Sequence, residues 1–233
     1  MGRVSERTTP VPSREGLRPS EVVASATPPA SRTDLKRLAI IDAATQLFIA
    51  NGYDGTSMDE IAAAAQVSKQ TVYKQFQDKP SLFRDMVLGI THRAEGIVNT
   101  ISDHFEGIVR AQDLEEGLLG IARSYAGAVL APQVIRLRRL VISEADRFPD
   151  LARAYYLHAP GRGLEAVADG LRLLDRRGLL RVEDPPVAAA QFSYLVLGAL
   201  IDRKLFDPSD KISDNEIAEH GQGAARVFIA AYR

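Results

Sequence analysis

The chain contains no cysteine and no tryptophan in 233 residues, and only four histidines. The missing thiols exclude disulfides, thiolate-bound zinc and cysteine nucleophiles, and suit a reducing compartment. No apolar run approaches the ~18 residues of a membrane span, and no secretory leader pattern opens the chain, so a soluble cytoplasmic protein without membrane partners is expected. Charge of either sign is not in excess: 29 basic against 30 acidic side chains leave a net charge of -1. A strong overall field for nucleic acid is therefore absent. No segment alternates with period two for long enough to build a sheet. A serine nucleophile elbow is missing, and Gly161-Arg-Gly-Leu-Glu-Ala follows a helical stretch rather than a strand, against dinucleotide binding. His92 with Glu95 and Glu216 with His220 lie one helical turn apart, but no strong ligand set joins them, so neither metal nor cofactor is expected.

What is present is 45% hydrophobic and 25% charged residues, enough for one large core or a small head with a larger body. Residues 1–33 stand apart. Pro10, Pro12, Pro19, Pro28 and Pro29 among Ser, Thr and Ala leave no periodic apolar face, which predicts a disordered N-terminal arm. It carries five Arg against three Glu, and its arginines (Arg3, Arg7, Arg14, Arg18, Arg32) suit either a minor-groove arm or a leader without function.

Residues 34–78 predict three short helices. Leu38, Ile41, Ala44, Thr45, Leu47 and Phe48 mark the first, ending at Asn51-Gly52, a pair suited to a left-handed C-cap. Ser57 with Glu60 forms a capping box ahead of Met58, Ile61, Ala62 and Ala65. After a break at Gln66-Val67, Ser68 caps a second short helix with Val72, Tyr73 and Phe76. Two short helices joined by so tight a turn make a helix-turn-helix. Ile41, Phe48, Ile61, Val72 and Phe76 are its expected core. The second helix presents Lys69, Gln70, Thr71 and Lys74 on a face without acids. Lys and Gln match guanine and adenine edges, and the Thr methyl matches that of thymine, so these four are the candidate base contacts. Thr56, Ser68, Tyr73, Gln75 and Lys79 flank them as candidate phosphate contacts. Residues 34–84 balance six cations against six anions, so few phosphate contacts per subunit and a dimer to multiply them are expected.

The stretch Phe48, Gly52, Tyr53, Thr56, Ser57, Met58, Ile61, Ala62, Ala65, Val67, Ser68, Thr71, Tyr73, Phe76, Lys79, Leu82 and Phe83 resembles the N-terminal domain of the TetR/AcrR family of transcriptional regulators. The resemblance covers about a fifth of the chain and is specific. It implies phosphate contacts at Tyr73 and Lys79 and base contacts at Gln70, Thr71 and Lys74. It further implies a homodimer whose C-terminal helical domain binds a small molecule and so controls release from an operator.

Residues 79–233 read as helical throughout, giving an all-α fold: a three-helix head and a larger ligand-binding and dimerisation domain, about nine helices. Asp78 caps a helix carried by Leu82, Phe83, Met86, Val87, Ile90, Ile97, Val98 and Ile101, about 40 Å long at 1.5 Å per residue. Further helices are expected near 113–131, 133–147, 149–177 with a break at Pro160-Gly161, 185–206 and 213–232. Ala188 to Ile201 carries no charge, so it is expected to face its own core on one side and a second subunit on the other, with Ala218, Gly221, Ala224, Ala225 and Phe228.

The run from Arg136 to Tyr156, with Gly178-Leu-Leu-Arg-Val-Glu-Asp-Pro and Ala188-Ala-Ala-Gln-Phe, resembles the C-terminal domain of the AefR-like branch of that family. Within it Tyr125, Glu144, Tyr156, His158 and Phe192, with Tyr155 and Tyr194, are the candidate pocket residues, and their aromatic character favours a neutral or weakly polar ligand. The function expected is a repressor released from a palindromic DNA operator by a small-molecule inducer, not an enzyme. The alternatives are a helical metal- or cofactor-binding enzyme and a DNA-binding module controlled by a protein partner.

Overall fold

A computed structural model describes residues 31–91 and 95–233, with 90, 91 and 95 described by their backbone alone. The arm arginines Arg3, Arg7, Arg14 and Arg18 lie outside the described residues, as do His92 and the side chain of Glu95, so the His92–Glu95 pair falls outside them too. Those residues form eleven α-helices and no strand. They are α1 (Arg32–Asn51), α2 (Met58–Ala64), α3 (Lys69–Gln75), α4 (Lys79–Thr91), α5 (Glu95–Gly107), α6 (Leu114–Val129), α7 (Pro132–Ser143), α8 (Pro149–Tyr156), α9 (Arg162–Arg176), α10 (Pro185–Phe206) and α11 (Asp214–Tyr232).

The caps explain most boundaries. Ser31 accepts from the Asp34 amide while the Asp34 carboxylate accepts from the Ser31 amide, so α1 begins at Arg32, just ahead of the expected start. Gly52 ends it with a φ of 75°. The segment expected as one helix from 79 to about 105 appears as α4 and α5, with 92–94 outside the described residues. Between α8 and α9 a π turn, Leu157–Gly161, replaces the expected break. Pro160 inside it has no amide to donate, and the wider i→i+5 pattern carries the chain past it.

Two apolar cores divide the molecule. One lies among α5, α6, α9, α10 and α11 and holds Phe105, Ile121, Leu171, Phe192 and Phe228. Gly170 makes it dense, since any Cβ there would overlap the Phe105 ring. The other belongs to the head but does not stop there: Phe48, Ile61, Val72, Phe76 and Phe83 are joined by Leu137 and Val141 of α7, Phe148, and Leu151 and Tyr155 of α8. Ile40, fully buried, is the deepest α1 isoleucine, and Ile41 is only half-buried.

α10 is long and apolar enough, at 22 residues, to cross a bilayer, contrary to the expectation that no run approaches that length. Its Ala188, Phe192, Val196 and Leu200 face is spent inside the first core. Val187, Tyr194 and Leu195 remain exposed. The α11 residues Gly221, Ala224, Ala225 and Phe228, expected at a subunit interface, are buried within the chain. The physical reason is close packing on α6: a Cβ on Gly221 would lie 3.0 Å from that of Ala122.

Candidate nucleic-acid interface and ligand pocket

The turn between α2 and α3 sets the angle of the presented helix. Ser57 and Glu60 close the expected capping box, the carboxylate accepting from the Ser57 amide at 2.7 Å and its hydroxyl at 2.8 Å. These bonds pull the Glu60 carboxyl below its usual range. At the other end Gln66 takes a left-handed φ of 54°. The Gln66 amide donates to Ala63 and the Val67 amide to Ala62, the paired bonds of a Schellman cap normally built on glycine. Ser68 then caps α3, accepting from the Thr71 amide at 3.1 Å, with the two hydroxyls 2.8 Å apart.

Ser68, Lys69, Gln70, Tyr73 and Lys74 are exposed, and Thr71 and Gln75 are half-buried along the same short helix. The face is not free of acids, however. Lys69 donates to Asp59 of α2 at 2.9 Å, which raises its pKa. Thr56 departs further from its expected role. It is 2% exposed, and its hydroxyl donates to the Gly52 carbonyl at 2.9 Å, so that group holds the α1–α2 loop instead of pointing outward. Arg37 was not foreseen. Its guanidinium lies over the Phe76 ring at 4.4 Å, donates to Asp85 at 2.6 Å and reaches the Gln75 carbonyl at 3.5 Å, clamping the end of α3 between α1 and α4.

Lys79 opens α4 with its ammonium 4.3 Å from the centre of the Tyr53 ring. That ring stacks on Phe48 at 5.7 Å and meets Phe83 and Phe148 edge-on at 5.1 and 5.0 Å. Arg147, in the turn before α8, lies over the same ring at 4.8 Å and donates to Asp54 at 2.6 Å. Burial pushes the Tyr53 phenol up. The α1–α2 loop of the head is thus locked to the α7–α8 turn of the body.

Behind that turn lie two cavities of about 390 and 400 Å³, within the ~300–1,000 Å³ range of small-molecule sites. Tyr125, Arg138, Tyr155 and Pro160 line both. Of the expected pocket residues, Tyr125 and Tyr156 line a cavity, as do Tyr155 and Tyr194. Burial pushes the Tyr125 phenol up. The other three are placed elsewhere. Glu144 follows the end of α7 and sits 3.7 Å from Arg147. His158 points to solvent because the π turn shifts the phase that would have set it beside Tyr155. Phe192 is core, edge-on to Phe228 at 5.2 Å. Arg138 and Ser193 were missed. The signal for Arg138 was its place between Val134 and Val141 on one helical stripe. Glu216 of the Glu216–His220 pair is bound to Arg203, and no cluster of metal-ligating side chains occurs among the described residues.

Two family profiles match the chain. The family profile for the tetR family of bacterial regulatory proteins matches residues 40–86. That for the C-terminal domain of AefR-like transcriptional repressors matches residues 116–233. A TetR-family transcriptional regulator from Mesorhizobium loti is similar in structure, with 36% identity and a TM-score of 0.80 over 87% of this chain and 98% of that one. The flavonoid-responsive regulator FrrA has 30% identity and a TM-score of 0.67 over 85% of this chain and 97% of its own. YvkB, an HTH-type transcriptional regulator of Bacillus subtilis, is 26% identical over 188 residues, 77% of this chain and 92% of that protein.

Proposed function

The chain belongs to the TetR family of bacterial transcriptional regulators, and from that premise we propose that it is a homodimeric repressor released from a palindromic operator by a small-molecule inducer. It is a DNA-binding regulator by family, and not an enzyme by the same kinship. The repressor sign is supported by the AefR-like repressor domain matched over its C-terminal half, and the small-molecule input by a relative described as flavonoid-responsive. Its place of action on this reading is the cytoplasm, where its DNA is.

Gln70, Thr71 and Lys74 read bases, while Tyr73 and Lys79 with Ser68 and Gln75 hold phosphates on either side. Lys69 joins the readers by exchanging Asp59 for DNA. The subunit interface is formed by the solvent face of α10, with Val187, Tyr194 and Leu195, and by the side of α11 that bears Val227, all exposed in the single chain, with half-buried Gly223 beside them.

The observation that carries the reading is the double membership of Tyr155. It lines both cavities and belongs to the core that contains Phe83 and Met86 of α4. A ligand that moves this ring tilts the helix that begins at Lys79 and follows α3. A tenfold loss of operator affinity needs only about 1.4 kcal/mol of differential binding between two body conformations.

Selection of bound genomic fragments by the purified protein, followed by release with metabolite fractions, tests this. Paired inverted half-sites and release by one fraction are expected, with a dimer in sedimentation that Leu195→Arg with Val227→Arg turns into monomer. A wild-type monomer at micromolar concentration, or unpaired sites indifferent to every fraction, refutes it.

A further inference from the structure

Among the described residues, two buried side-chain polar atoms make no hydrogen bond of ordinary geometry: Nε of Arg138, and Oγ of Ser193, which lies beside the Tyr125 hydroxyl. They come from different helices, α7 and α10, yet both line the cavity of about 390 Å³. Arg138 lines the neighbouring cavity as well, so it stands where the two spaces meet. Several other arginines are tied down, Arg37 to Asp85, Arg147 to Asp54, Arg172 to Asp169, Arg203 to Asp210, and Arg177 to three backbone carbonyls, while Arg123, Arg136, Arg153, Arg176 and Arg181 are exposed to solvent. Arg138 forms no ion pair, and Asp202, the one carboxylate lining either cavity, is exposed and not paired with it.

Arg138 is half-buried, with its Nε fully enclosed, and a guanidinium cannot relieve burial by losing its proton. Without a counter-charge its enclosed part is a cost to the fold, to which the unsatisfied Nε–H is the main contributor. Such an expense in a pocket is met when a ligand supplies the missing acceptor and charge. We infer that Arg138 and Ser193 form an anion-recognising subsite, for a ligand with an anionic oxygen, carboxylate or ionised phenol, on an apolar or aromatic body resting against Tyr125, Tyr155 and Tyr156. The inference rests on the reading of the body as the effector domain, and it replaces the neutral ligand that the aromatic residues alone had suggested.

The test uses the full-length protein and matched probes in calorimetric titration. These are 2-naphthoate against 2-naphthamide and 4-nitrophenolate against 4-nitroanisole, so that the carboxylate and phenolate forms are judged separately. At least one anion should bind about tenfold or more tightly than its neutral counterpart, a difference of about 1.4 kcal/mol. Arg138→Met should abolish that preference while raising the unfolding temperature of the ligand-free protein. Ser193→Ala should weaken the anion and leave the neutral probe unchanged. Equal titrations for both members of each pair, absence of binding included, overturn the inference, as does an Arg138→Met protein less stable than wild type. A metabolite fraction that releases operator from wild type and Arg138→Met alike sinks the subsite and leaves the regulator reading standing. If no fraction releases operator from the wild type, the regulator reading itself fails.

Discussion

Thr56→Val separates a residue that grips DNA from one that holds the gripping element. The substitution keeps the volume and one methyl of a side chain that is 2% exposed. It deletes the hydroxyl that donates to the Gly52 carbonyl at 2.9 Å. A net intramolecular hydrogen bond contributes about 1 kcal/mol, and a buried carbonyl left without its donor costs about 1–3 kcal/mol. The carbonyl lies in a loop beside exposed Asp54 and Gly55 and regains some water, so a loss of about 1–2 kcal/mol is expected. For a chain of 233 residues this lowers the unfolding temperature by about 2–8 °C. Binding to a selected operator fragment, followed by fluorescence anisotropy well below that temperature, should show unchanged affinity and an unchanged slope of log K against log salt. If the hydroxyl instead holds a phosphate, affinity falls by about 1.5–3 kcal/mol, the worth of a hydrogen bond to a charged group, while the slope, set by the cations, stays the same. Weaker operator binding with an unaltered unfolding temperature would refute the structural role.

Two further outcomes follow from the packing and the caps. Gly170→Ala drives a methyl into the Phe105 ring where α9 meets α5, and overpacking of this kind should cost about 1–3 kcal/mol in urea unfolding; a neutral result would show that the two helices separate freely. The carboxyls of Asp34, Glu60 and Asp78 are all pulled down by the serine bonds that cap their helices. Their folded-state values lie below their unfolded ones, so the stability they contribute is complete above the ordinary carboxylate range and is lost as pH falls through the lowered values. Stability measured downward from the ordinary glutamate value of 4.5 should therefore decline, and Glu60→Gln should flatten the decline. An equal slope in wild type and variant would remove Glu60 from the account.

The head was legible because its signals are local. Ser57 and Glu60 lie three positions apart, Ser68 opens α3, and the apolar residues recur at helical spacing, so sequence distance and spatial distance agree. Thr56 was misjudged because a hydroxyl beside a cap looks the same in sequence whether it turns out to solvent or back over a glycine carbonyl. The Arg37 clamp and the Lys69–Asp59 pair depend on crossings between helices, which periodicity does not carry. In the pocket, aromatic character alone did not distinguish Tyr155, on a cavity wall, from Phe192, sealed in core. His158 was lost to the phase shift of a π turn that Pro160-Gly161 announced only as a break. The α11 face was misassigned because small residues permit close approach to any helix, and α6 of the same chain is the nearer one.

The apolar core that runs from Phe48 through Phe83 to Phe148 and Tyr155 bears on how such proteins exchange parts. A graft that joined residues 31–78 to a foreign body would strip Tyr53 of its packing against Phe83 and Phe148, while the donor body would be left with Leu151 and Tyr155 facing water. Recombination that preserves a working switch must therefore transfer α7 and α8 with the reading head, although more than fifty residues of chain separate them from it. The heritable unit is a spatial one, assembled from two separated stretches of sequence.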